Sequence, residues 1–194
     1  MQFLPDNTTL ILIDVQQAFD DERWGQRNNI RAETNIGQLL RAWRETDRPV
    51  IHVQHRNTAP GRLFSPDQPG FAFKPEAAPQ QSEPVINKEV NSAFIGTDLE
   101  SILRQAAVTH LVICGLTTDH CVSTTTRMAG NLGFTTYLTA DACATFERVG
   151  PNGRRWTADE MHESALASLH EEFAQVVSTA AVIDLLPSMP ATES

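Results

Sequence analysis

Short apolar runs rich in β-branched residues alternate along this chain with segments of helical periodicity, and no other feature constrains its fold as much. Residues 8–14 (Thr-Thr-Leu-Ile-Leu-Ile-Asp) form one such run, closed by a carboxylate, and read as a strand buried on both faces. Further runs at 49–55, 83–87, 109–115, 134–140 and 174–178 make six strands with the first. Between them, 30–46 places Ile36, Leu39, Leu40 and Trp43 at helical spacing, and 97–107 opens on Thr-Asp-Leu-Glu, which fits a capping box. Residues 119–132 and 158–173 carry two more helical patterns. Strands alternating with helices predict βαβ units, right-handed crossovers and an α/β fold whose mostly parallel sheet carries helices on both faces. At 194 residues the chain suits one domain, 1–186, with 187–194 as a frayed tail.

Residues 56–82 break the rhythm: they hold five of the eleven prolines (Pro60, Pro66, Pro69, Pro75, Pro79) and are too long for an ordinary connection. A second irregular stretch spans 145–156. Fifteen basic against 24 acidic residues give a net charge of −9, a field that repels polyphosphate, so nucleic acid is not expected as a partner. No apolar run approaches the roughly 20 residues of a bilayer span. The first strand follows Asp6 without a basic leader, so neither export nor a membrane is expected. Three cysteines, an odd number, argue against a disulfide framework and for a reducing cytoplasm.

In an open parallel sheet, ligands bind beyond the carboxyl ends of the strands, where the winding reverses. Three ionisable groups stand there: Asp14 after the first strand, Lys88 after the third and Cys121 beyond the fourth. Cys121 falls in a strand-to-helix passage, where the helix N-terminus and a nearby ammonium are expected to lower its thiol pKa. The bland alternatives are a buried small hydrophobe for Cys121, a strand-terminating cap for Asp14 and a solvated charge for Lys88. Cys114, inside an apolar strand, and Cys143, between two alanines, read as packing residues.

Three blocks in this order resemble the isochorismatase-like cysteine hydrolases, a family that includes nicotinamidases and N-carbamoylsarcosine amidase. They are Asp14-Val15-Gln16-Gln17-Ala18-Phe19, then Lys88 with Asn91-Ser92-Ala93-Phe94, then Gly115-Leu116-Thr117-Thr118-Asp119-His120-Cys121-Val122. The resemblance implies a three-layer, doubly wound sandwich with a six-stranded parallel sheet of order 3-2-1-4-5-6. It implies a catalytic triad of Asp14, Lys88 and Cys121. It also implies a cis peptide at Leu116-Thr117, with the Thr117 and Cys121 N–H groups as oxyanion hole. The activity it implies is hydrolysis of a C–N bond in a small amide or carbamoyl compound through a thioester.

Rival readings are weighed against the same residues. Zinc would need convergent ligands, but His52 and His55 are three apart on a strand and face opposite ways, and Gln54-His55-Arg56 replaces the Asp-x-His segment of nicotinamidase-type members. No metal is therefore expected. His110, His162 and His170 read as structural or surface residues, and His120, adjacent to Cys121, does not face it on a helix. No dinucleotide, Walker or nucleophile-elbow motif occurs, so no cofactor is expected. Family members that cleave vinyl ethers dispense with the cysteine, which disfavours that chemistry here; a non-catalytic binding or redox-sensing protein is the other alternative. Phe19, Trp24, Phe94 and Phe146 are candidate pocket walls. Phe64, Phe71, Phe73, Phe146 and Trp156 lie in Pro- and Gly-rich contexts, and, left loose, would need the cover of a homo-oligomer, a dimer or tetramer.

Overall fold

The computed structural model describes residues 3–187; of the expected tail, 188–194 lie outside the described residues. Strands β1 (Thr9–Ile13), β2 (Val50–His55), β3 (Val85–Lys88), β4 (His110–Leu116), β5 (Thr135–Ala144) and β8 (Gln175–Val177) form a six-stranded sheet of order β3-β2-β1-β4-β5-β8, with every pair parallel. This is the expected order, the sixth sheet strand being β8 because a small antiparallel hairpin, β6 (Arg148–Val149) with β7 (Arg155–Trp156), intervenes. The hairpin lies in the stretch the sequence left irregular.

Helices α1 (Ala32–Glu45), α2 (Leu99–Gln105), α3 (Ser123–Asn131), α4 (Ala158–Leu169) and α5 (Thr179–Ile183) cover the sheet. The winding runs outward to β3 from β1 and outward to β8 from β4, so right-handed crossovers put α1 on one face and α2, α3 and α4 on the other. In agreement, α1 packs with α5, and α3 with α4. Central strands β1 and β4 are apolar on both sides because both faces are covered. Among the described residues no helix is long and apolar enough to cross a membrane.

The capping box forms on a different helix from the one expected. Thr97 accepts from the Leu99 N–H at 3.3 Å and donates to the Ala93 carbonyl, so α2 begins after Asp98 without a side-chain cap. The reciprocal pair forms at Thr157 and Glu160, at the start of α4.

Four of the aromatics in the irregular stretches pack against groups of their own chain. Phe146 is buried in the core, Phe64 packs edge-on against Phe19 at 5.1 Å, Phe73 against His52 at 5.7 Å, and Trp156 lies 3.8 Å under the Arg154 guanidinium. Proline and glycine did not keep these rings out of the packing, because single 3-10 turns at Pro69–Phe71 and Pro75–Ala77 fold the long segment back onto its own chain.

Candidate active site

The site is built where β1 and β4 run closest. A Cβ on Gly115 would lie 2.1 Å from the Ile13 carbonyl oxygen, and its φ is 127°, so only glycine fits at this crossing. At the next residue after β1 the chain turns: Asp14 adopts φ 52°, in the left-handed region that Asp tolerates better than most side chains. After β4 the Leu116-Thr117 peptide is cis, and residues Thr118–Val122 form a π-helical turn that runs directly into α3. Cys121 lies in that turn. Lys88 ends β3, in register with His55 at the end of β2. The three candidate groups thus arrive from three strand ends at one point.

Lys88 is the hub. Its Nζ donates to Asp14 Oδ2 at 2.7 Å, to Cys121 Sγ at 3.2 Å and to His55 Nδ1 at 3.1 Å. Asp14 is 0% exposed, Lys88 1% and Cys121 8%, and of the three Asp14 and Cys121 border the cavity. The second carboxylate oxygen of Asp14, Oδ1, is buried and meets no hydrogen-bond partner among the described residues by distance and angle. Burial, opposed by Lys88, raises the Asp14 pKa above that of an ordinary aspartate. Burial first, and the Asp14 carboxylate second, push the Cys121 thiol up to about 12. This corrects the expectation of a thiol acidified by its helix end: the desolvation of the sulfur outweighs the ammonium beside it.

The cavity over the sulfur has a volume of about 130 Å³ and is walled by Phe19, Trp24 and Phe64, with His55, Asn91, Thr117 and His120 supplying polar edges. Two 3-10 turns, Gln17–Asp20 and Glu22–Trp24, present Phe19 and Trp24, and the Trp24 indole is fixed by its bond to the Ala18 carbonyl at 2.8 Å. Of the expected wall residues, Phe146 stands behind the wall, stacked on Trp24 at 5.4 Å and on Phe19 at 6.0 Å. Phe94 is not a wall residue; it stacks on Phe134 at 6.0 Å, because the Ala93 N–H is tied to Thr125 of α3.

Sequence reasoning missed His55, Phe64, Asn91 and His120. His52 and His55 do face opposite ways, His52 bonding Glu83 at 2.8 Å while His55 meets Lys88; the spacing argument that separated them left His55 unassigned. The Lys88 register partner was the signal that could have found it. The carboxylate of Asp14, a ring nitrogen of His55 and the Cys121 sulfur lie within 4.8 Å of one another, a set of metal-ligand types. The Lys88 ammonium bonds to all three and supplies the positive charge that an ion would, so a cation there would have to displace it. His162 is structural, bonded to Thr118 at 2.8 Å behind the cysteine turn. Cys114 and Cys143 are fully buried packing residues.

Comparison with known proteins gives a consistent picture. The isochorismatase domain matches residues 8–181. The isochorismatase family protein YrdC of Bacillus subtilis is 49% identical over 181 residues, covering 93% of this chain and 97% of its own. A streptothricin hydrolase of Streptomyces noursei is 33% identical over 138 residues, 71% of this chain and 50% of its own. A crystal structure of an isochorismatase family protein from Chromobacterium violaceum superimposes with a TM-score of 0.93 at 45% identity, covering 95% of this chain and 96% of that one.

Proposed function

The chain belongs to the isochorismatase family of hydrolases, and from that premise we propose that it is a cysteine-dependent hydrolase of a C–N bond in a small amide or carbamoyl compound, working through a thioester. The observation that carries the reading is the buried cluster in which Lys88 Nζ bonds both Asp14 Oδ2 at 2.7 Å and Cys121 Sγ at 3.2 Å, leaving the second oxygen of Asp14 free to take a proton from the sulfur. A thiol at about 12 is a poor resting nucleophile, and a desolvated carboxylate of raised basicity is the group to deprotonate it as it attacks.

In the first half-reaction the Sγ–C bond forms and the thiol proton passes to Asp14. The C–N bond then breaks as Asp14 returns that proton to the departing nitrogen, leaving the acyl group on sulfur and free ammonia or amine. In the second half, water gives a proton to Asp14 while its oxygen attacks the thioester carbon. The C–S bond breaks and the proton returns to sulfur, releasing the acid. Lys88 holds carboxylate and sulfur in register throughout and offsets the negative charge that moves between them. The backbone N–H groups of Thr117 and Cys121 are assigned to the oxyanion, at about 3–4 kcal/mol per donor.

The hydrolytic name of the Streptomyces relative supports the class of reaction. The cavity of about 130 Å³, closed in by Phe19, Trp24 and Phe64, supports a small acyl group beside the sulfur. The test is ammonia release from a panel of small primary amides and carbamoyl compounds. At least one should be hydrolysed by the wild type and none by Cys121→Ala; turnover by the alanine variant overturns the covalent reading.

A further inference from the structure

An ammonium has three donors and no acceptor. Since Lys88 Nζ bonds His55 Nδ1 at 3.1 Å, that nitrogen presents its lone pair, and the imidazole proton sits on Nε2. Protonating Nδ1 as well would aim an N–H at the ammonium; accordingly, burial and Lys88 together push the His55 pKa down to about 4. The neutral ring borders the cavity and stands edge-on to Phe64 at 5.2 Å. Its Nε2–H has no acceptor among the described residues, although nearly every other polar edge of this ring and its backbone is satisfied.

The backbone of His55 is held with unusual care. The fully buried carboxamide of Gln16 accepts from the His55 N–H at 2.8 Å and donates to the His55 carbonyl at 3.1 Å, and it also donates to Phe71 of the long segment at 2.9 Å. This gives a purpose to the third residue of the Asp14-Val15-Gln16 block that the triad does not use. A buried glutamine positions a histidine whose tautomer is set by the catalytic lysine and whose ring borders the cavity.

We propose that His55 is a specificity-determining residue whose Nε2–H binds a hydrogen-bond acceptor carried on the acyl side of the substrate, next to the scissile carbonyl, so that the preferred class is small α-oxygenated amides. His55 and Cys121 border the same cavity and a ring nitrogen of His55 lies within 4.8 Å of the Cys121 sulfur, so a group held by the imidazole stands near the carbon that the sulfur attacks. The inference rests on the amidase reading for the word substrate, and its test is made separable from that reading.

Glycolamide and propionamide have the same number of non-hydrogen atoms and differ in an α-hydroxyl against a methyl. Each is titrated as a protector of Cys121 against iodoacetamide in the full chain, which needs no turnover, and each is also assayed for ammonia release. Glycolamide should protect at about tenfold lower concentration than propionamide, the worth of one well-made hydrogen bond. In His55→Asn, whose side-chain oxygen can still accept from Lys88 but whose amide does not reach the Nε2 position, the two should protect alike. Equal protection in the wild type, or none by either, overturns the proposal, as does a preference that survives in His55→Asn. If glycolamide protects selectively yet no amide or carbamoyl compound of the panel is hydrolysed, the recognition stands and the amidase reading falls. Imidazole ¹⁵N spectra of the wild type, which need no variant to fold, should show His55 neutral with its proton on Nε2 at pH 7; a proton on Nδ1 overturns the assignment.

Discussion

Lys88 Nζ and Asp14 Oδ2 are 2.7 Å apart, and both side chains are closed to solvent, one at the end of an edge strand and the other at the end of a central one. A buried pair of this kind is costly to break from one side, because the remaining charge is left in a low-dielectric surround. Lys88→Met should therefore destabilise the fold by about 3–5 kcal/mol as well as abolish turnover, read by urea denaturation and ammonia release. The double variant Asp14→Asn, Lys88→Met should lose less stability than the sum of the two single ones, since it leaves no lone charge. Additive losses would show that the pair is not coupled.

The pH dependence follows from the directions of two shifts. Asp14 acts as carboxylate, and burial raises its pKa above 3.8, so kcat/KM should fall on the acid side at a pH higher than an ordinary aspartate would give. Cys121 is held up at about 12, so the rate should stay flat from neutrality to about pH 10 instead of climbing as thiolate forms. A rise centred near the ordinary thiol value would mean that the sulfur ionises before it attacks.

Access, and not acidity, should govern alkylation. All three thiols are raised by burial, but Cys121 borders the site cavity, whereas Cys114 and Cys143 are 0% exposed. Iodoacetamide on the native chain should modify Cys121 slowly and leave the other two untouched, with all three reacting in urea. Equal labelling in the native state contradicts the burial pattern.

The strands were legible in the sequence because β1 and β4 are covered on both faces and so read as unbroken apolar runs, whereas their order came with the three motif blocks that resemble the family; strand ends in a parallel sheet are few. Asp14, Lys88 and Cys121 could be found for the same reason. What stayed hidden depends on distance across the chain. His55 enters the site through its register with Lys88, and Phe64 reaches Phe19 from a proline-rich stretch with no periodicity. The acidity of Cys121 was misjudged because local position suggests a helix end, whereas the desolvation that governs it is set by the packing of the whole strand-end cluster. Phe94 was misplaced in the same way: its nearness in sequence to Lys88 says nothing about α3, which draws its segment aside.

Gly115 sets how near β1 and β4 come. Gly115→Ala would put a methyl 2.1 Å from the Ile13 carbonyl oxygen at a φ of 127°, so the strands must part at the point that delivers Asp14 and Cys121. A loss of stability of about 3 kcal/mol or more, with loss of turnover, should be seen in thermal and urea unfolding. A stable, active Gly115→Ala protein would show that the close crossing is not needed.

The central claim is a covalent acyl group on Cys121, and acid-quenched intact-protein mass spectrometry during turnover of an amide found in the ammonia-release panel reads it directly. The account predicts a transient gain equal to the mass of the substrate less its departing amine, mapped by peptide digestion to residue 121 and absent in Cys121→Ala. Steady turnover with no adduct even under rapid quench and with a slowly deacylating substrate, or an adduct carried by any other residue, would contradict it.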